Sequence, residues 1–568
     1  MERYQTISLT AVNASYSHSS LALRCLSKTL EGRTVITHEF TINDRPEKAA
    51  AQLYLDGSGL YAFSCYIWNI GFVLDVCRIL KAAAPERDIL LGGPEVSYDA
   101  ETVLKQYPFI DYVLCGEGEA SLPALLSGSP IDTVGGLAYR REGQVRINPP
   151  RVIEDLDSLP RLYTKEELLS GLKNKIVYYE TSRGCPYRCS YCLSSTSHGV
   201  RFFSLTRVLE DFQLFIDCGV PLVKLVDRTF NIDRQRTKQM LRYILSHSKT
   251  TCFHFEVAAD ILDDETVALL SGAPKGMFQL EIGVQSTNPE TLAAIDRKTD
   301  LARLWENVAA LQKNNNIHIH LDLIAGLPHE DYNRFTQSFN DVFALRPDML
   351  QLGFLKLLKG TKIRREAEAY GYRFTPQPPY EVLTNDFISY AELLRLKGVE
   401  DMVERYYNSH AFEKTLEYAI EEYESAYSFF DAVASFFQEK GHADAPQSKK
   451  NLYEILSAFY CEYGRRDRAL FADLLKFDFI RCNPNLALPD WAAKTGDKAF
   501  YQAAYAFLAS EAGQNYIPRH VGERQSELKR AVRVEKFNFD VCGTCNFGES
   551  VVVFDIVEKN FAKIVEKF

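Results

Sequence analysis

Two long stretches of alternating strand-like and helix-like segments constrain this chain more than any other feature. In residues 5–125 the runs Thr6–Val12, Val35–Ile42, Leu60–Tyr66, Asp88–Leu91 and Tyr112–Cys115 are short and apolar, with helical stretches such as Gly71–Ala84 between them. Neighbouring parallel strands need a crossover of a dozen or more residues, usually a helix, so the rhythm predicts an α/β domain with a doubly wound, Rossmann-like sheet. Ligands in such sheets sit beyond the C-terminal strand ends. Two of those ends carry glycine clusters, Gly92-Gly93-Pro94-Glu95 and Gly116-Glu117-Gly118-Glu119. A missing Cβ there lets the backbone approach a bulky ligand closely. The second stretch offers six more strands: Ile176–Thr181, Leu222–Val226, Cys252–Val257, Phe278–Gly283, His318–Ile324 and Met349–Phe354. With helices between them they predict a partial (β/α)6 TIM-like barrel, whose functional loops follow the strand C-termini.

The first strand of that barrel runs into Cys185-Pro186-Tyr187-Arg188-Cys189-Ser190-Tyr191-Cys192, a C-x3-C-x2-C pattern in a loop opened by Gly184 and Pro186. Free thiols seldom cluster at ligand spacing without a metal to hold. Zinc asks for two separated ligand pairs or a Cys/His mixture with a recognisable second half, and none follows nearby. A cubane iron–sulfur cluster takes four ligands. Three cysteines leave one iron open to another molecule.

The 568 residues leave room for about two to four domains, and a hydrophobic content of 46% is ample for their cores. A net charge of −10 runs against a general nucleic-acid binder, which needs concentrated Lys and Arg. The opening MERYQTISLT lacks the basic-then-apolar pattern of a secretory signal, and no apolar run is long enough to span a bilayer. Thirteen cysteines without such a signal fit a reducing cytosol better than a disulfide framework. The expectation is a cytoplasmic protein with neither membrane nor nucleic acid as partner.

Asn148-Pro149-Pro150 breaks regular structure, and the acidic run Glu154–Pro160 reads as an extended linker. The expected division is residues 1–140, a linker at 141–172, a barrel at 173–375 and a mainly α-helical domain at 376–568. In that last region Asp386–Gly441 and Lys450–Leu475 space apolar and aromatic residues at three and four positions, a pattern for core packing. Cys542-Gly543-Thr544-Cys545 could bind zinc or a second cluster, or act in redox exchange. No second close-spaced pair accompanies it, which favours structural thiols.

The cysteine triplet, with Tyr191 before its last member, resembles the signature of the radical S-adenosylmethionine (radical SAM) enzymes. The resemblance implies that Cys185, Cys189 and Cys192 ligate a 4Fe–4S cluster whose open iron chelates S-adenosylmethionine. One electron then cleaves that molecule to a 5′-deoxyadenosyl radical, the cofactor supplying the hard chemistry. Segments behind the triplet look like the family's cofactor contacts, in order: Asp227 and Asn231 after the second strand, Glu256 ending the third, Glu281, Gln285 and Ser286 on the fourth, and Gly326 and Pro328 after the fifth. Leu358-Lys359-Gly360-Thr361 resembles a Pro-Gly-Thr turn with Lys359 in place of the proline. The GGPEVS and GEGE segments look like the cobalamin-binding domain fused to many of these enzymes. They imply corrin contacts from Gly92, Gly93, Pro94, Gly116, Glu117 and Gly118. The Asp-x-His-x-x-Gly segment that ligates cobalt in many cobalamin proteins is not matched around His18, so cobalamin is expected without a histidine on the metal. The C-terminal helices look like the accessory domain of one cobalamin radical group whose chemistry is unassigned.

The implied activity is anaerobic methyl transfer to an unactivated carbon or phosphinate centre of a small-molecule or peptide substrate. The implied cofactors are the 4Fe–4S cluster, S-adenosylmethionine and cobalamin, with a reducing partner such as flavodoxin or ferredoxin. Rearrangement or cyclisation with the same cofactors is an alternative, as is a non-enzymatic corrinoid or cluster sensor. Methylthiolation of transfer RNA fits less well, because such enzymes carry three further cluster cysteines and a basic C-terminal module. Cys25, Cys65, Cys77 and Cys115 are scattered, and the tail mixes Lys with Glu.

Overall fold

The computed structural model describes residues 4–565 apart from 31, 174, 198, 444 and 559. It divides into two compact units, Met1–Asp348 with Leu352–Leu393, and Met349–Gln351 with Leu394–Phe568.

The first unit opens with seven strands: β1 (Thr6–Asn13), β2 (Thr34–Thr41), β3 (Leu60–Ser64), β4 (Asp88–Gly92), β5 (Tyr112–Leu114), β6 (Leu137–Arg141) and β7 (Gln144–Ile147). They lie in the order β2-β1-β3-β4-β5-β6-β7, parallel as far as β5. This is a doubly wound sheet whose strand order reverses between β1 and β3, the place where such sheets bind ligands. β3 is buried at all five positions, because helices cover both faces of a parallel sheet and demand a continuous apolar run. The sheet is completed by something the sequence reading did not anticipate. β6 and β7 pair antiparallel across Glu142 and Gly143, both at positive φ (54° and 75°), the two-residue geometry that matches the twist of a hairpin. The boundary expected at residue 140 therefore falls inside this hairpin.

Eight further strands follow: β8 (Val177–Tyr179), β9 (Ser182–Gly184), β10 (Val200–Phe202), β11 (Leu222–Leu225), β12 (Cys252–Glu256), β13 (Phe278–Gln285), β14 (His318–Ala325) and β15 (Met349–Phe354). Six of them form a sheet in the order β15-β14-β13-β12-β11-β8, parallel from β8 to β14, as the partial barrel required. β13 and β14 alternate strictly between buried and half-buried positions. One face packs Phe278, Leu280, Ile282 and Val284 into the core. The other presents Gln279, Glu281, Gly283 and Gln285, since successive side chains point to opposite faces. A short ribbon of β16 (Arg373–Phe374) and β17 (Val382–Thr384) follows the barrel.

The second unit is mainly helical, as expected, but its details differ. The helical stretch expected at Lys450–Leu475 is made of two helices, Lys449–Tyr463 and Arg468–Cys482. Gly464 ends the first, and the Asp467 carboxylate caps the second by accepting from the Ala469 and Leu470 N–H groups. The C-terminal residues add an antiparallel sheet, β18 (Val532–Phe539), β19 (Phe547–Asp555) and β20 (Phe561–Ile564).

Gly93 shows what the first sheet demands of its glycines. Its φ is +99°, and a Cβ built there would lie 2.6 Å from the Cys65 carbonyl oxygen and 3.0 Å from its nitrogen. Any side chain at this position collides with the backbone just past the end of β3, before it could reach a ligand. A Cβ at Gly118 would instead meet Leu26 Cδ2 at 2.9 Å, the movable end of a flexible side chain. Gly93→Ala should therefore lower the unfolding free energy by about 1–3 kcal/mol, the range for backbone strain combined with overpacking. Gly118→Ala should stay within about 0.5–1 kcal/mol of the parent, since one rotamer adjusts. Urea denaturation of the two variants checks this, and equal losses would contradict it.

Candidate functional site

The cysteine loop is tied down at both ends. β9 and β10 pair antiparallel, with Gly184 opposite Val200 and Ser182 opposite Phe202. Gly184 has φ +103°, and a Cβ there would lie 2.1 Å from the Gly199 carbonyl oxygen, so only glycine closes this neck. Inside the loop the Ser190 N–H donates to the Ile295 carbonyl, and the Ile363 N–H donates to the Ser190 carbonyl, both at 2.9 Å. Cys185 and Cys189 are buried, while Cys192 is half-buried. The Cys185 Sγ lies 3.7 Å from Thr229 Oγ1, and the Cys189 Sγ 3.9 Å from an Arg297 guanidinium nitrogen. Burial raises the Cys189 thiol, and Arg297 opposes the rise.

All three cysteines line one cavity of about 200 Å³ with Tyr191, Glu256, Glu281 and Gln285. Among the described residues no three His, Cys, Asp or Glu side chains converge as a single metal ion would require. A 4Fe–4S cluster takes one thiolate per iron, so its ligands need not converge, and a cavity walled by all three cysteines fits that demand. A second observation points to a ligand. Gln285 has φ +72° and its Oε1 is buried with no hydrogen-bond partner. Its amide lies so close over residue 283 that a Cβ there would fall 2.1 Å from Nε2. A strained residue offering an orphaned acceptor into a polar cavity suits a bound molecule with a donor.

The floor of this cavity is charged. The Glu281 Oε2 accepts from the Lys224 ammonium at 3.1 Å and lies 3.0 Å from His254 Nε2. The His254 contact is the larger cause that holds the Glu281 carboxyl down at about 2, with Lys224 assisting against burial. Burial pushes Glu256 up to about 7, with Arg228 working against the rise. His320 Nε2 sits 2.9 Å from Asp322 Oδ1. Burial disfavours the His320 cation, but Asp322 outweighs it and raises the imidazole.

The remaining barrel residues named from the sequence shape the site from behind. Asp227 is 1% exposed; its carboxylate accepts from the Thr181 N–H at 2.9 Å, the Thr181 hydroxyl at 2.7 Å and the Ser182 hydroxyl. Asn231 brackets Ala258, accepting from its N–H at 2.9 Å and donating to its carbonyl at 2.7 Å. Ser286 donates to Glu330 Oε1 at 2.7 Å. The Gly326 carbonyl accepts from the Tyr372 hydroxyl and the Asn385 amide, and Pro328 is buried. None of these five lines the cavity.

A second cavity, of about 410 Å³, lies at the glycine-bearing strand ends. Gly92, Gly93, Gly116, Glu117 and Gly118 line it together with apolar residues such as Leu23, Leu26, Phe63 and Leu122. Broad apolar walls beside glycine backbone fit the flat face of a corrin. Pro94 lies outside this lining, as the first residue of a one-turn helix. Glu117 is already engaged: its carboxylate accepts twice from Arg201 and once from the Ile153 N–H at 2.8 Å. Burial works against its ionised form, but Arg201 leads the contacts that hold the carboxyl below its ordinary value. His18 does not line the cavity, and its Nδ1 is 2.5 Å from the Tyr178 hydroxyl.

The wall between the two cavities is the segment after β11. Val226 lines the second cavity, Thr229 the first and Arg228 both. Arg183, Arg228, Arg297 and the Lys224–His254–His320 group were not singled out from sequence. The last three stand at alternating positions of strands and carried a period-two signal; the arginines carried none.

Three family models match successive parts of the chain: a B12 binding domain over residues 7–126, the radical SAM superfamily over 179–342, and a protein of unknown function (DUF4080) over 368–554. Among curated proteins the chain is 25% identical over 301 residues to the uncharacterised methyltransferase PH0819 of Pyrococcus horikoshii, covering 51% of this chain and 64% of that one. It is 26% identical over 365 residues to the cobalamin-dependent radical SAM methyltransferase TokK of Streptomyces tokunonensis, covering 56% of this chain and 50% of TokK. The chain thus spans less than two thirds of the length of either relative. Its fold is similar to the cobalamin-dependent S-adenosylmethionine radical enzyme OxsB with aqua-cobalamin and S-adenosylmethionine bound, at a TM-score of 0.58 and 14% identity over 85% of this chain and 80% of that one. It is also similar to the methyltransferase TsrM of Kitasatospora setae, at a TM-score of 0.55 and 17% identity over 66% of this chain and 79% of that one.

Glu330 gives this region a pH signature. It is 1% exposed, the Ser286 and Ser338 hydroxyls donate to its Oε1, and its Oε2 is buried without a partner. Burial pushes the carboxyl up to about 7 despite the hydroxyls. Because the folded value lies above the unfolded one of about 4.3, the stability it lends is complete below pH 4.3 and is lost as pH rises through 7. Glu330→Gln should match the parent at pH 5 and exceed it by about 2–3 kcal/mol at pH 8, following the linkage relation. Thermal unfolding across that range checks it, and parallel pH profiles would contradict it.

Proposed function

We propose that this chain, which matches a B12 binding domain over residues 7–126 and the radical SAM superfamily over 179–342, is a cobalamin-dependent radical SAM methyltransferase. The observation that carries the reading is the single residue, Arg228, that lines both the cavity walled by the three cysteines and the cavity at the glycine-bearing strand ends. A substrate seated beside that residue reaches both.

Cys185, Cys189 and Cys192 would hold the cluster, and Gly92, Gly93, Gly116 and Gly118 would face the corrin. Bound there, the cluster with S-adenosylmethionine would supply radical hydrogen abstraction, and the corrinoid would supply the methyl group. The chain's own residues bind, orient and shield. Arg297 sets positive charge beside Cys189 and donates to the Gly283 carbonyl, which favours an anionic centre at the loop. Gln285 and Glu281 present acceptors from β13, and the Glu281 carboxyl stays ionised across the working pH range. Asp227, Asn231 and Ser286 fix the loops that close the strand ends.

The reading includes a soluble reducing partner of the flavodoxin or ferredoxin kind and a cytoplasmic site of action. No helix among the described residues is long and apolar enough to cross a membrane. The substrate class stands as a small molecule or a peptide.

Anaerobic reconstitution with iron, sulfide and cobalamin, followed by mass spectrometry of the adenosyl products, tests the proposal. S-adenosylhomocysteine is expected together with 5′-deoxyadenosine. Deoxyadenosine alone would contradict methyl transfer and favour rearrangement or cyclisation on the same cofactors.

A further inference from the structure

We propose that Arg228 is a substrate-binding residue that receives an oxyanion, a carboxylate or a phosphate-like group, at the junction of the two cavities. The proposal rests on the reading that both cavities serve one reaction, and the geometry of the partition carries it. The residue before it, Asp227, turns its carboxylate onto Thr181 and Ser182, away from an ion pair with its neighbour. The other arginines of the two cavities are committed. Arg183 holds Glu119 and Glu180, and Arg297 holds the Gly283 carbonyl beside Cys189. Arg228 is exposed to the cavities, and among the described residues no carboxylate lies within ion-pair distance of it. Glu256, the acid named above as feeling its field, is pushed up to about 7 by burial and carries only part of its charge near neutrality.

A guanidinium held in a cavity without a protein partner is a fork of donors matched to a planar or tetrahedral oxyanion. The position decides what that anion belongs to. A molecule acted on from both cavities must present its reacting atom near the partition, and an anchor on the partition itself holds it there. Lysine in the same place would give charge without the two-pronged geometry. The same chemistry could come from the methionyl carboxylate of S-adenosylmethionine or from the corrinoid, and these sources can be separated.

The test is labelling of arginine by phenylglyoxal, read at Arg228 by peptide mass spectrometry, with inorganic phosphate, malonate and the neutral malonamide as probes. Arg228 should react in the apoprotein and still react with cluster, cobalamin and S-adenosylmethionine bound. Phosphate or malonate should slow it several-fold in both states, and malonamide should not. An unreactive Arg228, or full protection by S-adenosylmethionine alone or by cobalamin alone, would overturn the assignment. Arg228→Gln should keep the parent's iron content and bound corrinoid; losing either would make the residue structural and overturn it too. Failure of the holoprotein to take up corrinoid or cleave S-adenosylmethionine would instead count against the proposed function, since phosphate protection is read in the apoprotein as well.

Discussion

The buried carboxylate of Asp227 is the constraint on which the rest of the site depends. An ionised group out of water is costly unless hydrogen bonds replace its hydration, and this one finds its donors on Thr181 and Ser182. Those residues lead directly into β9 and the cysteine loop, while Asp227 itself lies just past the end of β11. One side chain thus sets the start of the loop that carries three thiols against the partition that carries Arg228. The next residue along, Arg183, extends the fastening by holding Glu119 beyond β5 and Glu180 beyond β8. Arg201 on β10 adds Glu117. A chain of charge-assisted bonds, stronger than neutral ones, therefore links the glycine-bearing strand ends to the cysteine hairpin.

The lumen of the partial barrel has its own logic. Strands whose one face packs against helices present every second residue to the other face. On β11, β12, β13 and β14 that face carries Lys224, His254, Glu256, Glu281, His320 and Asp322. Opposite charges meet there, which limits the penalty of removing them from water. Pairing with His254 and Lys224 leaves Glu281 strongly ionised, while burial pushes Glu256 up to about 7. Two carboxylates on adjacent strands with such different proton affinities give one cavity both an acceptor and a proton donor near neutral pH.

Much of this was legible in the sequence because it rests on local rules. Apolar runs separated by helical stretches gave the first five strands and the six of the barrel, and three cysteines at ligand spacing marked the loop. The β6–β7 hairpin was missed because its turn, Glu142-Gly143, lacks the Asn or Asp that usually signals one. The C-terminal sheet was missed because its strands follow long helical stretches and its burial is set by distant helices. Roles were harder to read than places. Gly93 sits at a cavity, yet its glycine is dictated by the Cys65 backbone. Asp227, Asn231 and Ser286 turn inward to hold loops, and Arg228, one residue from Asp227, turns into the cavities. Which neighbour faces which way depends on partners from other strands, and no spacing within one strand encodes that.

The central claim is that the cysteine loop and the glycine-bearing strand ends present two redox-active cofactors to one junction. Its most direct test is the electron spin relaxation of bound Co(II) in the anaerobically reconstituted protein, with the iron–sulfur cluster first oxidised and then reduced. A paramagnetic cluster across a partition one loop thick should speed the relaxation of cobalt markedly on reduction. The effect should vanish when Cys185, Cys189 and Cys192 are all replaced by alanine. Cobalt relaxation indifferent to the state of a fully occupied cluster would place the two cofactors apart and contradict the account.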